Sequence, residues 1–137
     1  MKSKQVPLPG ARTCVLDASA LLAMLQTEPG GDEVQNLLAT AAICSVNWSE
    51  VAQKALDWQA EIEGLRQELE ALGLEILPLT ALLAETTARL RPSTRQAGLS
   101  LGDRACLALA AVLGLPAVTA DRIWPDLGLP IEIRVVR

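Results

Sequence analysis

Short apolar runs alternate along the chain with longer stretches whose apolar residues recur at helical spacing. The most apolar stretch starts at Leu99-Ser100-Leu101-Gly102-Asp103-Arg104 and continues as Ala105-Cys106-Leu107-Ala108-Leu109-Ala110-Ala111-Val112-Leu113-Gly114. It is built from Ala and Leu and is apolar on nearly every face, which predicts a helix buried on most sides. Gly114 suits a left-handed cap, and Pro116 bars continuation. Ala117-Val118-Thr119 then predicts a short buried strand with Asp121 just beyond it. An antiparallel return from helix to strand brings Asp103, at the start of the one, close to Asp121, at the end of the other.

The remaining elements follow from the same patterns. Residues 1–11 predict a loose, weakly basic arm, and residues 12–16 a first strand ending at Asp17. Residues 18–25 predict a helix broken by Thr27-Glu28-Pro29-Gly30-Gly31, after which Asp32 is placed to cap a second helix through Leu38. Residues 41–44 predict the second strand. Ser45 opens a helix over 46–55 that carries Asn47 and Glu50, and a long acidic helix is expected over 57–72 with Ile62, Leu65, Leu69 and Leu72 on one face. Gly73 ends it, 74–77 predicts a third strand, and Pro78 stops that strand. Thr80 caps a helix running to Leu90, and Arg89, Arg91 and Arg95 cluster around Pro92 in the connection that follows. After an irregular turn at 122–126, residues 131–135 alternate as an edge strand. Strands separated by helices imply parallel pairing with right-handed crossovers, hence a three-layer α/β sandwich in a single domain over 12–137.

Composition narrows the chemistry. His is absent from the 137 residues, which removes Ser-His-Asp catalysis and every zinc site that needs imidazole. Phe and Tyr are absent too, so the core is aliphatic. Cys14, Cys44 and Cys106 lie far apart in apolar runs, as expected of buried thiols in a reducing cytoplasm. The longest uncharged run, 105–120, contains Gly114 and Pro116 and falls short of the about 20 apolar residues of a spanning helix. The net charge of −4 argues against a simple basic nucleic-acid module, yet two divalent cations would bring it to neutrality.

In sheets of this kind ligands bind beyond the carboxyl ends of the strands, where strand order reverses. Asp17 and Asp121 end short apolar strands, Glu50 lies in the helix after the second strand, and Asp103 begins the helix feeding the strand before Asp121. One rim can hold all four. Taken singly each has a structural reading: Asp17 as a helix cap, Asp103 in a Ser100-x-x-Asp103 capping box, Asp121 as the cap of a turn, and Glu50 on a solvated face. Taken together, four carboxylates with only Arg104 and Arg122 nearby in sequence repel one another unless cations hold them. Oxygen-only sites suit Mg²⁺ or Mn²⁺, which can polarise a scissile phosphate and activate water. Ser19 and Thr119 are expected to orient groups around such ions from one layer out. Lysines occur only as Lys2, Lys4 and Lys54, which argues against a phosphoacceptor domain, and no G-x-x-x-x-G-K or G-x-G-x-x-G occurs.

Four segments carry a resemblance. Val15-Leu16-Asp17-Ala18-Ser19-Ala20-Leu21-Leu22-Ala23, Ser45-Val46-Asn47-Trp48-Ser49-Glu50-Val51, the stretch from Leu99 to Ala110, and Thr119-Ala120-Asp121-Arg122-Ile123-Trp124 resemble the PIN domain, and within it the VapC-type toxins of toxin–antitoxin pairs. The likeness spans residues 12–137. It implies a five-stranded parallel sheet in the order 3-2-1-4-5 and Mg²⁺- or Mn²⁺-dependent endoribonuclease activity. Asp17, Glu50, Asp103 and Asp121 would be the acidic quartet that holds the metal and catalyses cleavage of RNA. It further implies a homodimer restrained by a cognate antitoxin, whose tail places a basic side chain in the acidic cleft. Arg89, Arg91 and Arg95 are candidate phosphate-gripping residues, since their loop leads into Asp103. The rival reading is a non-catalytic module that binds a protein partner through the acidic cleft.

Overall fold

Short apolar runs predict the strands, and in the computed structural model, which describes residues 11–137, they form one sheet. Strands β1 (Cys14–Leu16), β2 (Ala41–Cys44), β3 (Glu75–Leu77), β4 (Ala117–Thr119) and β5 (Ile133–Val135) are all parallel, in the order β3-β2-β1-β4-β5. This is the predicted sandwich and the predicted order. Central β1 sets the register on both sides, with Val15 opposite Ala42 in β2 and opposite Ala117 in β4.

Helices α1 (Ala18–Leu25), α2 (Gly31–Leu37), α3 (Ser45–Asp57), α4 (Ile62–Ala71), α5 (Ala81–Arg89), α6 (Arg91–Thr94) and α7 (Leu101–Leu113) connect the strands. Side chains of a strand point alternately to its two faces, and the core divides accordingly. Leu16, Ile43 and Val118 join Leu21, Val34, Val51 and Leu69 on one face. Val15, Cys44 and Ala117 join Leu83, Trp124 and the buried run from Ala105 to Ala110 of α7 on the other. The predicted burial of α7 is therefore complete over its middle, and Gly114 closes it in the left-handed region at φ 66°. Cys14, Cys44 and Cys106 are buried free thiols, and burial raises the pKa of all three.

Local expectations were corrected in four places. The acidic helix does not begin at Asp57. Instead α3 runs on to Asp57 and the chain breaks at 58–61, where Gln59 takes a φ of 60° and the amides of Trp58 and Ala60 both donate to the Ala55 carbonyl. A glutamine in the left-handed region leaves no composition signal, so the periodicity ran through the break. Glu61 caps α4 by accepting from the Gly64 amide at 3.2 Å. Second, Gly30 rather than Asp32 precedes α2, and Asp32 sits in its first turn. Third, the connection holding Arg91 and Arg95 is partly helical. There Thr94 is buried and its hydroxyl donates to the Leu90 carbonyl at 2.8 Å. Fourth, the outer strands are shorter than their apolar runs. The expected arm at 1–11 lies, but for exposed Ala11, outside the described residues. Among the described residues no helix is long and apolar enough to cross a membrane.

Candidate active site

The chain turns from β1 into α1 at Asp17, whose extended backbone (φ −89°, ψ 177°) makes it the N-cap residue. Its carboxylate accepts from the Ala20 amide at 2.8 Å, from the Ser19 hydroxyl at 2.8 Å and from the Thr119 hydroxyl at 2.6 Å. Only 3% of the residue is exposed. Burial pushes its pKa up to about 6; the hydrogen bonds from Thr119, Ala20 and Ser19 oppose the rise, and the charge of Asp103 adds to it. Ser19 and Thr119 also tie the start of α1 to the end of β4. Ser19 accepts from the Ala120 amide at 3.0 Å, and Thr119 from the Asp121 amide at 3.0 Å.

Asp103 enters from α7. Ser100 and Asp103 form the predicted capping box, in which Asp103 Oδ2 accepts from the Ser100 amide at 3.0 Å and the Asp103 amide donates to Ser100 Oγ at 3.1 Å. Glu50 enters from α3 and is half-buried rather than solvated. Burial raises its pKa, a hydrogen bond from Asn47 opposes this, and Asp103 adds like-charge repulsion. Among the described residues the capping box engages Oδ2 of Asp103 and leaves its Oδ1 without a hydrogen bond, whereas both Asp17 oxygens accept, Oδ1 from Ala20 and Ser19 and Oδ2 from Thr119 and Ser19.

Asp17, Glu50 and Asp103 line a single open cavity of about 450 Å³. Asp121 does not line it; its Oδ1 accepts from the Ile123 amide at 2.9 Å in the turn after β4. Arg89, Arg91 and Arg95 are exposed and do not line it either, and Arg89 lies 4.0 Å from Glu85. The cation that does line it is Lys54, with Gln53 and Asp57 beside it. Sequence reasoning assigned no site role to these three, and placed Asn47 beside Glu50 without giving it one. Helical spacing would have found them, since they stand three, four and seven positions after Glu50 and three before it on the same helix.

The donors at this cavity are all oxygens, as Mg²⁺ and Mn²⁺ require. Among the described residues no Lys or Arg forms an ion pair with Asp17, Glu50, Asp103 or Asp121. A buried carboxylate without a cationic partner is costly, and a divalent cation would supply one. No three Asp, Glu or Cys side chains among the described residues converge closely enough to hold one ion unaided. Mg²⁺ keeps several waters and is bound through one or two carboxylates, so its binding does not require three to converge.

The family profile of the PIN domain matches residues 14–129. No curated protein matches the chain at the level of sequence. Among solved structures, a chain of a toxin–antitoxin complex from Klebsiella pneumoniae superposes with a TM-score of 0.71 at 21% identity, covering 86% of this chain and 93% of that one. A chain of DNA-bound VapBC from Salmonella typhimurium gives 0.68 at 21% identity, covering 92% and 99%. A member of the VapBC family from Mycobacterium tuberculosis gives 0.56 at 25% identity, covering 93% and 98%. With the profile spanning most of the chain and the sheet order and rim as described, this protein belongs to the PIN domain family.

Proposed function

We propose that the protein is a Mg²⁺- or Mn²⁺-dependent endoribonuclease and the toxin of a toxin–antitoxin pair. The observation that carries this reading is the cavity itself: carboxylates from β1–α1, α3 and α7 share it, and none has an ion-pair partner. One or two of Asp17, Glu50 and Asp103 would bind the metal directly and the rest through its waters, with Asp121, outside the cavity, as the fourth acid through the oxygen not engaged by Ile123. A bound divalent ion supplies positive charge to the scissile phosphate and lowers the pKa of water at neutral pH. Ser19 and Thr119 fix Asp17 against rotation, so its oxygens are aimed before substrate arrives. Lys54 lines the same cavity and would contact a phosphate of the RNA.

The test is incubation with structured RNAs in Mg²⁺, Mn²⁺ or EDTA. Cutting in the metals alone is expected, with 5′-phosphate and 3′-hydroxyl ends. A 2′,3′-cyclic end would overturn hydrolysis by water, since it would identify the ribose hydroxyl as the nucleophile. RNA left whole in all three conditions would favour the partner-binding module.

Lys54→Ala is expected to lower kcat/KM by about ten- to a hundred-fold, the range of one charge-assisted contact, and to reduce the salt slope of RNA binding by about one. Filter binding across a salt series checks both. Replacing Arg89, Arg91 and Arg95 together should flatten the salt slope as well; unchanged binding would restrict phosphate contact to Lys54.

The Klebsiella pneumoniae and Mycobacterium tuberculosis neighbours belong to toxin–antitoxin systems, and we carry that pairing to this chain. A basic antitoxin side chain entering the cavity would meet the three acids described above. Exposed Leu56, Trp58 and Leu72 on the α3–α4 side offer it an apolar face. A second copy of this chain would cover Leu82 and Val112, which border an apolar groove between α5 and α7.

A further inference from the structure

Glu50 has a single hydrogen-bond partner among the described residues, Asn47, whose Nδ2 donates to Glu50 Oε1 at 3.2 Å. The same Nδ2 donates to the Gly102 carbonyl at 3.0 Å, crossing from α3 to the first turn of α7. Asn47 is 1% exposed, and two acceptors around one nitrogen fix which way its amide points. Gly102 supplies the other half of the arrangement. A Cβ built there would lie 2.5 Å from Glu50 Oε1, 2.7 Å from Oε2 and 2.8 Å from Cδ. The carboxylate of Glu50 therefore rests on the bare α-carbon next to Asp103.

The geometry points to Asn47 and Gly102 as positioning residues that together seat Glu50 beside Asp103. Gly102 leaves the space and Asn47 provides the tie. The inference rests on the proposed metal site for its consequence, though not for its geometry. It makes an unusual forecast for Gly102→Ala. Glycine within a helix is destabilising relative to alanine, and the three atoms nearest to an added methyl group belong to the end of a flexible side chain. The variant should fold at least as well as the parent while losing the seat.

The experiment uses the full chain with Gly102→Ala, Asn47→Ala and Glu50→Ala. In EDTA, the side-chain carboxyl ¹³C resonance of Glu50 should move in Gly102→Ala and in Asn47→Ala, with the melting temperature of Gly102→Ala at or above that of the parent. Mn²⁺ affinity, measured by titration calorimetry without RNA, should fall about ten-fold or more in Gly102→Ala. Adding Gly102→Ala to Glu50→Ala should cost no further affinity, because both remove the same contact. An unmoved Glu50 resonance in Gly102→Ala overturns the seat, and so does additive loss in the double variant. If Glu50→Ala binds Mn²⁺ like the parent while the resonance moves, the seat stands and it is the role of Glu50 as a ligand that fails. Should Asn47→Ala not fold, Gly102→Ala decides alone.

Discussion

Asp17→Asn is expected to abolish RNA cleavage and, without metal, to raise the melting temperature above pH 6. The two effects have one cause. Asp17 is buried, and its pKa is raised from 3.8 to about 6 mainly by desolvation. An acid whose folded pKa is raised holds its proton more tightly when native than when unfolded. The native state therefore bears no penalty below about pH 4, loses stability as pH rises toward 6, and bears the whole penalty above that. At 1.36 kcal/mol per unit this comes to about 3 kcal/mol. Asparagine cannot ionise, yet its oxygen still accepts from the Ala20 amide, and its amide group can donate to Thr119. Melting curves of both proteins in EDTA should diverge from pH 4 to 6 and stay apart by several degrees above it. If Asp17→Asn melts lower than the parent at pH 8, the carboxylate is not an uncompensated charge. Losing the charge that anchors the metal should reduce cleavage by about a thousand-fold, several kcal/mol of barrier.

The second large effect is the converse, in which Mn²⁺ or Mg²⁺ stabilises the parent at pH 8. A ligand at a hundred times its Kd, bound only by the native state, contributes about 2.7 kcal/mol. That approaches the penalty on Asp17 and should raise the melting temperature by several degrees. Protons compete for the same carboxylate, so the shift should fade as pH drops below 6 and be close to nil at pH 4. It should also be small at every pH in Asp17→Asn. A pH 8 melting curve that ignores both metals would dismiss the cavity as a cation site, whatever the RNA assay shows.

Much of the candidate site's local geometry was legible because its parts are encoded locally. Asp17 caps α1, Asp103 closes a box with Ser100, and Asp121 caps a turn at Ile123, each through partners within three residues. Such signals reveal which residue begins an element and nothing about what lies opposite it. The spacing of Glu50 placed it on α3, but its half-burial comes from packing against α7. The arginines drew attention because they precede Asp103 in sequence. In space the cavity opens along α3 instead, which gives that place to Lys54.

By itself the sequence determined the alternation of strand and helix, the parallel sheet buried on both faces, the Ala- and Leu-rich helix at its centre and the starting points of the helices that bear the acids. Those follow from side-chain periodicity and from capping, which act over a few residues. Only the tertiary structure decided that Asp17 is dry enough to hold its proton to about pH 6, that Asn47 reaches Gly102 across 55 positions, and that Lys54 rather than Asp121 or the arginines lines the cavity. Desolvation, charge repulsion and contact distance are sums over neighbours from remote segments. No local pattern carries them, and they come into being when the sheet closes.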